Sequence, residues 1–317
     1  MSYLVTGGAG FIGSHIAAHL CSLGAEVRVL DNFSSGKREN LAGLPVTLIE
    51  GDIRDAECVA AAVAGVDTIF HHAALCSVAR SMIDPASTHD VNVTGTLILL
   101  DAARKANTRR FVMASSSSVY GDSDVFPKHE DMKTDPMSPY AVSKLICEFY
   151  CQLYWKTFGL DTVALRYFNV FGPRQDPDSE YSAVIPRFVR AMVQGVSPHI
   201  YGDGSQSRDF TYVNDVVQAN IAAATSSYSP GQVMNIACGN RWSLIDLINC
   251  LETILQRQTR PVFESARLGD VKHSQASIQK AQNMIGFAPE VMFDDGLRRT
   301  VDWFTAQEKP QRLRVAV

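Results

Sequence analysis

Short apolar runs alternate with stretches of helical periodicity from the first residues of the chain. Tyr3–Thr6 predicts a strand. After a cluster of glycines, apolar positions recur at helical spacing from about Ile12 to Leu23. Val27–Leu30, Val46–Glu50, Thr68–His71, Arg110–Ala114 and Thr162–Arg166 predict further strands, and Val233–Ile236 a seventh. Helices are predicted between them, notably over Val93–Lys105 and Tyr140–Phe158. The strand runs are continuously apolar, as expected where both faces of a sheet are covered. Strand and helix in alternation predict the α/β class, with a doubly wound parallel sheet of about seven strands.

Beyond Arg166 the pattern loosens. The stretch from Phe171 to Tyr181 is rich in Gly, Pro and charge and predicts a loop. Helices are predicted over Pro186–Gln194, with proline in the first turn, and over Asn214–Ala224 and Leu244–Leu255. Residues 1–170, with about 213–243, are therefore expected to form the sheet domain. About 171–212 and 244–317 are expected to form a smaller, discontinuous C-terminal lobe across a shared cleft. The tail after Trp303 is expected to fray.

Composition narrows the function classes. Of the 317 residues, 46% are hydrophobic and 20% charged, which is ordinary for a chain that buries a large core. The net charge of −4 and the lack of any basic block argue against a nucleic-acid surface. No apolar run approaches the ~20 residues of a membrane span, and no signal-peptide pattern follows Met1, so no membrane partner is expected and the expected location is cytoplasmic. The seven cysteines (Cys21, Cys58, Cys76, Cys147, Cys151, Cys238, Cys250) include no Cys-x-x-Cys pair. They read as reduced, with neither a disulfide framework nor a metal site. His71 and His72, at a strand end, read as satisfied histidines and not as metal ligands.

The glycine cluster is the first chemical signal. In Thr6-Gly7-Gly8-Ala9-Gly10-Phe11-Ile12-Gly13 the glycines fall between the first strand and first helix. A tight turn, a close backbone approach to a pyrophosphate and close helix–strand packing each require glycine there. The helix N-terminus offers free N–H groups to an anion. Asp31 ends the second strand, where a carboxylate accepts from ribose hydroxyls and repels a 2′-phosphate. The motif in this setting predicts a Rossmann domain that binds NAD rather than NADP.

Tyr140 and Lys144 are four residues apart and share a helix face. An ammonium beside a phenol favours the phenolate, so the pair can serve as base or acid for a hydroxyl that becomes a ketone. The glycine motif, Asp31, the run Ser115-Ser116-Ser117-Ser118-Val119-Tyr120-Gly121 and the Tyr140/Lys144 pair stand in the order and spacing of the extended short-chain dehydrogenases/reductases. Along essentially its whole length the chain resembles their UDP-glucose/UDP-N-acetylglucosamine 4-epimerase branch.

That resemblance implies several roles. Ser116, with Ser117 as fallback, would bond the reacting sugar oxygen beside Tyr140 and Lys144. Gly7, Gly10, Phe11, Ile12, Gly13, Asp31 and Asn32 would hold the cofactor. So would Asp52, Ile53, Ala73, Ala74, Asn92 and Tyr167, together with Tyr140 and Lys144. Asn169, Val184, Tyr201 and Arg208 would meet the nucleotide sugar, as would Arg267, Asp270 and Ser274. Within this set the two arginines would grip phosphate, where a guanidinium fork fits two oxygens. Asp270 would accept from ribose, and the small Ser274 would leave room for an N-acetyl group at C2.

The implied activity is 4-epimerisation through a 4-keto sugar. UDP-GlcNAc and UDP-GalNAc are the first candidates, with UDP-Glc and UDP-Gal next. Homodimerisation through the helices around 94–106 and 140–158 is implied as well. Dehydratases and decarboxylases of the same scaffold are the nearest alternatives. They carry carboxyl groups just before Val-Tyr-Gly, where this chain has Ser117 and Ser118. A non-catalytic NAD-sensing protein is a third reading, against which the retention of both Tyr140 and Lys144 weighs.

Overall fold

The computed structural model describes residues 1–177, 183–265 and 272–314, with side chains as far as Gln307. Seven strands build one sheet: β1 (Ser2–Thr6), β2 (Glu26–Asp31), β3 (Val46–Glu50), β4 (Thr68–His71), β5 (Arg110–Ser116), β6 (Asp161–Tyr167) and β7 (Val233–Ile236). Their spatial order is β7-β6-β5-β4-β1-β2-β3, and every pairing is parallel. The order reverses between β1 and β4, which places the ligand crevice at the carboxyl ends of these two strands. This is the Rossmann-type sheet the sequence predicts.

Successive residues of a strand feed opposite cores. Leu4, Phe111 and Met113 pack with Leu99, Leu100, Cys147 and Cys151 on one face. Val5, Val112 and Ala114 pack with Ile16, Ala17, Val216 and Val217 on the other. A third core lies off the sheet, where Phe171, Phe188, Phe210 and Leu247 meet Phe293 and Leu297. Two-residue strands stitch this part together: Val170–Phe171 pairs with Thr211–Tyr212, and Ser207–Arg208 with Trp242–Ser243. The helix Gln279–Ile285 returns to the sheet and lends Ala281 to its second face.

One expectation needs correction. The helical stretch predicted from Val93 begins earlier, at Pro85, because Asp84 accepts the Ser87 N–H and proline occupies the first turn. It passes through a π-turn at Asp90–Thr94 before continuing as Gly95–Lys105. The stretch after Trp303 is helical as far as Arg314, as the end of the helix Phe293–Arg314. Its buried stripe Phe293, Leu297, Val301 and Phe304 anchors the helix, and Ala306 and Gln307 are good residues for propagating it. Among the described residues no helix is long and apolar enough to cross a membrane.

Candidate active site

The turn after β1 leaves no room for side chains. Gly7 has φ +67°, and a Cβ on it would lie 2.6 Å from Ala73 N. A Cβ on Gly13 would lie 2.3 Å from the Gly7 carbonyl oxygen. Gly10 starts the helix Phe11–Ser22, whose N-terminus has neither a side-chain cap nor an acid in its first turn. The positive end of that helix therefore faces the crevice uncompensated.

Asp31 is buried at the end of β2. Its Oδ2 accepts from Ala9 N at 2.9 Å and its Oδ1 from Phe33 N at 2.8 Å. The carboxylate thus ties the glycine turn to the β2 loop and keeps further lone pairs for a ligand. Asn32 Nδ2 donates to Asp52 Oδ2 at 3.0 Å. Arg54 reaches both Asp52 and Asp90 at 2.8 Å. Its hydrogen bonds hold the Asp52 carboxyl well below the usual carboxylate range.

These groups share one cleft, open to solvent, of about 1390 Å³. It is lined by Gly7, Gly10, Phe11, Ile12, Gly13, Asp31, Asn32, Asp52, Ile53, Ala73, Ala74, Tyr140, Lys144 and Tyr167. Of the residues expected at the cofactor, only Asn92 stands back. Its amide bonds Leu75 N (2.8 Å), Leu75 O (3.1 Å) and Ser143 Oγ (2.9 Å), so it braces the cleft wall from behind.

Ser138 caps the helix Pro139–Phe158 through the Ala141 N–H, which starts the turn that carries Tyr140. The Ser116 hydroxyl lies close enough to Tyr140 to favour its phenolate. The Ser116 Oγ accepts from Ser118 Oγ at 2.9 Å and from Ser118 N at 3.2 Å. Lys144 Nζ donates to Ala114 O at 2.9 Å and lies 5.9 Å from the Tyr140 ring centroid. Desolvation in the cleft wall pushes the Tyr140 phenol well above its ordinary value, with the charge of Cys76 adding to it and the neighbouring Ser116 opposing. Burial pulls the Lys144 ammonium down. Here the ammonium is bonded to a strand carbonyl, and desolvation is the largest influence on the Tyr140 phenol.

Ser115, one residue earlier, points to the opposite side of β5. It donates to Glu148 Oε1 at 2.5 Å, and Glu148 is gripped by Arg166 through Nε (2.9 Å) and Nη2 (2.7 Å). The alternation of the strand thus separates the serine run into a rear residue and a front one.

A second cavity of about 880 Å³ opens beside the first and is lined by Asn169, Val184, Tyr201 and Arg208, with Arg187 and Gln206. Asn169 sits at φ +33°. Its Nδ2 reaches Asp209 O at 3.3 Å and Ser274 Oγ at 3.4 Å. Arg208 Nη1 donates to Ser207 O and Lys272 O at 3.0 and 3.1 Å. Tyr167 on the first cavity and Asn169 on the second are two residues apart, so the end of β6 joins them. Arg267 and Asp270 lie outside the described residues.

Residues 3–237 match the NAD dependent epimerase/dehydratase family. The chain belongs to that family. A putative UDP-glucose 4-epimerase of Methanocaldococcus jannaschii is 36% identical over 95% of this chain and 97% of its own length. A UDP-N-acetyl-alpha-D-glucosaminuronate decarboxylase of Bacillus cytotoxicus is 35% identical over 95% and 97%. The structure of a UDP-N-acetylglucosamine 4-epimerase of Methanobrevibacter ruminantium, in complex with UDP-N-acetylmuramic acid, superposes with a TM-score of 0.93. It is 42% identical and covers 96% of this chain and 98% of that one.

As a member of the NAD dependent epimerase/dehydratase family the protein is an enzyme with NAD as its cofactor. The residues present fit that group. The glycine turn is a cradle that a Cβ would fill, the helix N-terminus is uncapped, and Asp31 closes β2. Sequence reasoning passed over several groups behind this site. Arg54 was legible from its two-residue spacing to Asp52. The Glu148–Arg166 pair and the Asp209 carboxylate had no local signal, since their partners lie 18 or more residues away.

Proposed function

We propose that this enzyme catalyses NAD-dependent 4-epimerisation of UDP-hexoses, UDP-GlcNAc and UDP-GalNAc first, with UDP-Glc and UDP-Gal also accepted. The observation that carries the reading is the make-up of the reacting corner. Ser116 lies beside Tyr140 and is itself bonded by Ser118, and the nearby Glu148 carboxylate is turned away and bound to Arg166. Elimination or decarboxylation calls for a further acid or base at this point, and hydroxyls alone suit a reversible oxidation at C4.

In this mechanism Tyr140 removes the O4 proton and Ser116 holds O4 by a hydrogen bond. NAD, held by the glycine turn and Asp31, would supply the hydride acceptor for C4 and, when oxidised, a positive charge that favours the Tyr140 phenolate. Lys144 keeps one N–H on Ala114 O and has two more for ribose hydroxyls. The 4-keto sugar would turn about its diphosphate so that C4 takes the hydride back on its other face, while Tyr140 returns the proton to O4. Asn169, Val184, Tyr201, Arg208, Arg267, Asp270 and Ser274 hold the UDP-sugar, and the short Ser274 side chain accommodates a C2 acetamido group.

The cofactor-binding sheet domain comprises residues 1–170 and about 213–243, and the remaining residues form the substrate lobe. The enzyme works as a homodimer: Val142, Phe149 and Leu153 are exposed along the helix Pro139–Phe158 and form an apolar stripe suited to a second copy.

Proton NMR of purified protein incubated with UDP-GlcNAc, and separately with UDP-Glc, without added NAD, tests the assignment. Appearance of the galacto isomer supports it. Absence of an isomer from both, with carbon dioxide released from a UDP-uronate instead, replaces it with decarboxylation.

A further inference from the structure

Asp209 has no exposed surface, and its carboxylate gathers backbone N–H groups from two distant segments. Oδ1 accepts from Cys238 N at 2.9 Å, and Oδ2 accepts from Gly239 N at 3.0 Å and Ala276 N at 3.1 Å. The first segment follows β7, and the second is the stretch that carries Ser274. The Asp209 backbone oxygen accepts from Asn169 Nδ2, whose other contact is Ser274 Oγ. Arg208 is its chain neighbour, and Ser207 bonds on both sides of His273, through Lys272 O and Ser274 N. One buried side chain therefore stands where the β6 turn, the Arg208 strand, the loop after β7 and the Ser274 segment converge.

We infer that Asp209 is a positioning residue for the nucleotide sugar: by drawing the N–H groups of Cys238, Gly239 and Ala276 onto one carboxylate, it sets the spacing of Asn169, Arg208 and Ser274. The inference rests on the reading that the second cavity takes a UDP-sugar. A carboxylate suits the task because it is acceptor-only and takes several N–H groups at once. An amide of the same shape turns an NH₂ toward one or two of these N–H donors and leaves them unpaired. Burial pushes the Asp209 carboxyl up to about 6 while the N–H groups oppose the shift, consistent with a side chain held for geometry at some cost in desolvation.

The test compares Asp209→Asn with the parent. Isothermal titration with UDP is done first on the parent. If the parent does not bind UDP, the assignment of the second cavity is rejected and this inference with it. If it binds, the variant should show a Kd for UDP and a KM for the UDP-sugar raised by about tenfold or more, with kcat at saturation within roughly threefold. The NAD content after acid release and the circular dichroism should match the parent. Unchanged UDP affinity and KM in the folded variant overturn the inference. Equal losses of NAD and UDP binding overturn it as well, because they mark a general structural role.

Should Asp209→Asn fail to fold, hydrogen exchange on the parent decides. UDP should slow exchange together in residues 235–242 and 272–278, and no slowing in the first of these segments overturns the inference.

Discussion

Replacing either member of the Glu148–Arg166 pair should destabilise the protein far more than replacing both. The two side chains are 2% and 5% exposed and joined by two hydrogen bonds, with Ser115 adding a third to Glu148. Arg166 Nη1 is already buried without a partner, so the guanidinium depends on this carboxylate, with its Cζ 4.7 Å from the Tyr120 ring centroid. Glu148→Met leaves a buried cation unpaired, and Arg166→Met leaves a buried anion; each should cost about 3–5 kcal/mol. The double variant exchanges the pair for apolar volume and should fall within about 2 kcal/mol of the parent, since desolvation offsets most of what an ion pair contributes. Urea titration followed by tryptophan fluorescence reads these differences as midpoint shifts at constant slope. The reasoning is refuted if the double variant loses the sum of the two single losses to within about 0.5 kcal/mol, because the residues would then be independent. Ser116 follows Ser115 directly, so kcat should fall in the single variants even where the fold survives.

Tyr140→Phe should lose most turnover while binding UDP-sugar as tightly as the parent; turnover within a few-fold of the parent would remove Tyr140 as the base. Gly13→Ala places a Cβ 2.3 Å from a backbone oxygen and should leave the purified protein depleted of NAD. The control Gly24→Ala, at φ +72° with nothing within 4 Å, should cost only about 1–2 kcal/mol and keep its cofactor. Burial holds His15 at about 4, with the Pro173 carbonyl opposing and Arg174 adding to the shift. Its folded value is depressed, so its share of stability is present above about pH 6.5 and lost as pH falls toward 4, up to about 3 kcal/mol. His15→Gln should flatten that slope in urea midpoints measured across this range, and an unchanged slope would exclude His15 as its source. Ser274→Tyr should suppress turnover of UDP-GlcNAc relative to UDP-Glc, and an unchanged ratio in the NMR assay would show that Ser274 does not gate the C2 group.

The sequence by itself determined the strand and helix order, the sheet class and the cofactor turn, because each depends on residues close together along the chain. Short, mostly apolar runs mark β1 to β7, and three of these strands have the predicted ends. Gly7, Gly10 and Gly13 are legible for the same reason: a tight turn between strand and helix constrains its own residues. Four consecutive serines, by contrast, carry no local mark of which one faces the ligand. The pleat of β5 separates them, sending Ser115 to Glu148 and leaving Ser116 on the side of Tyr140. Asn92, expected at the cofactor, was moved behind the wall by the π-turn at Asp90–Thr94 and its bonds to Leu75. The start of that helical stretch at Pro85 was legible in Asp84-Pro85 but passed over. The continuation beyond Trp303 depended on a buried stripe docking in the third core. The Asp209 junction and the Glu148–Arg166 pair were decided by tertiary structure alone. A buried charge is tolerable only where donors from remote segments converge on it, and that convergence exists only once the chain has folded.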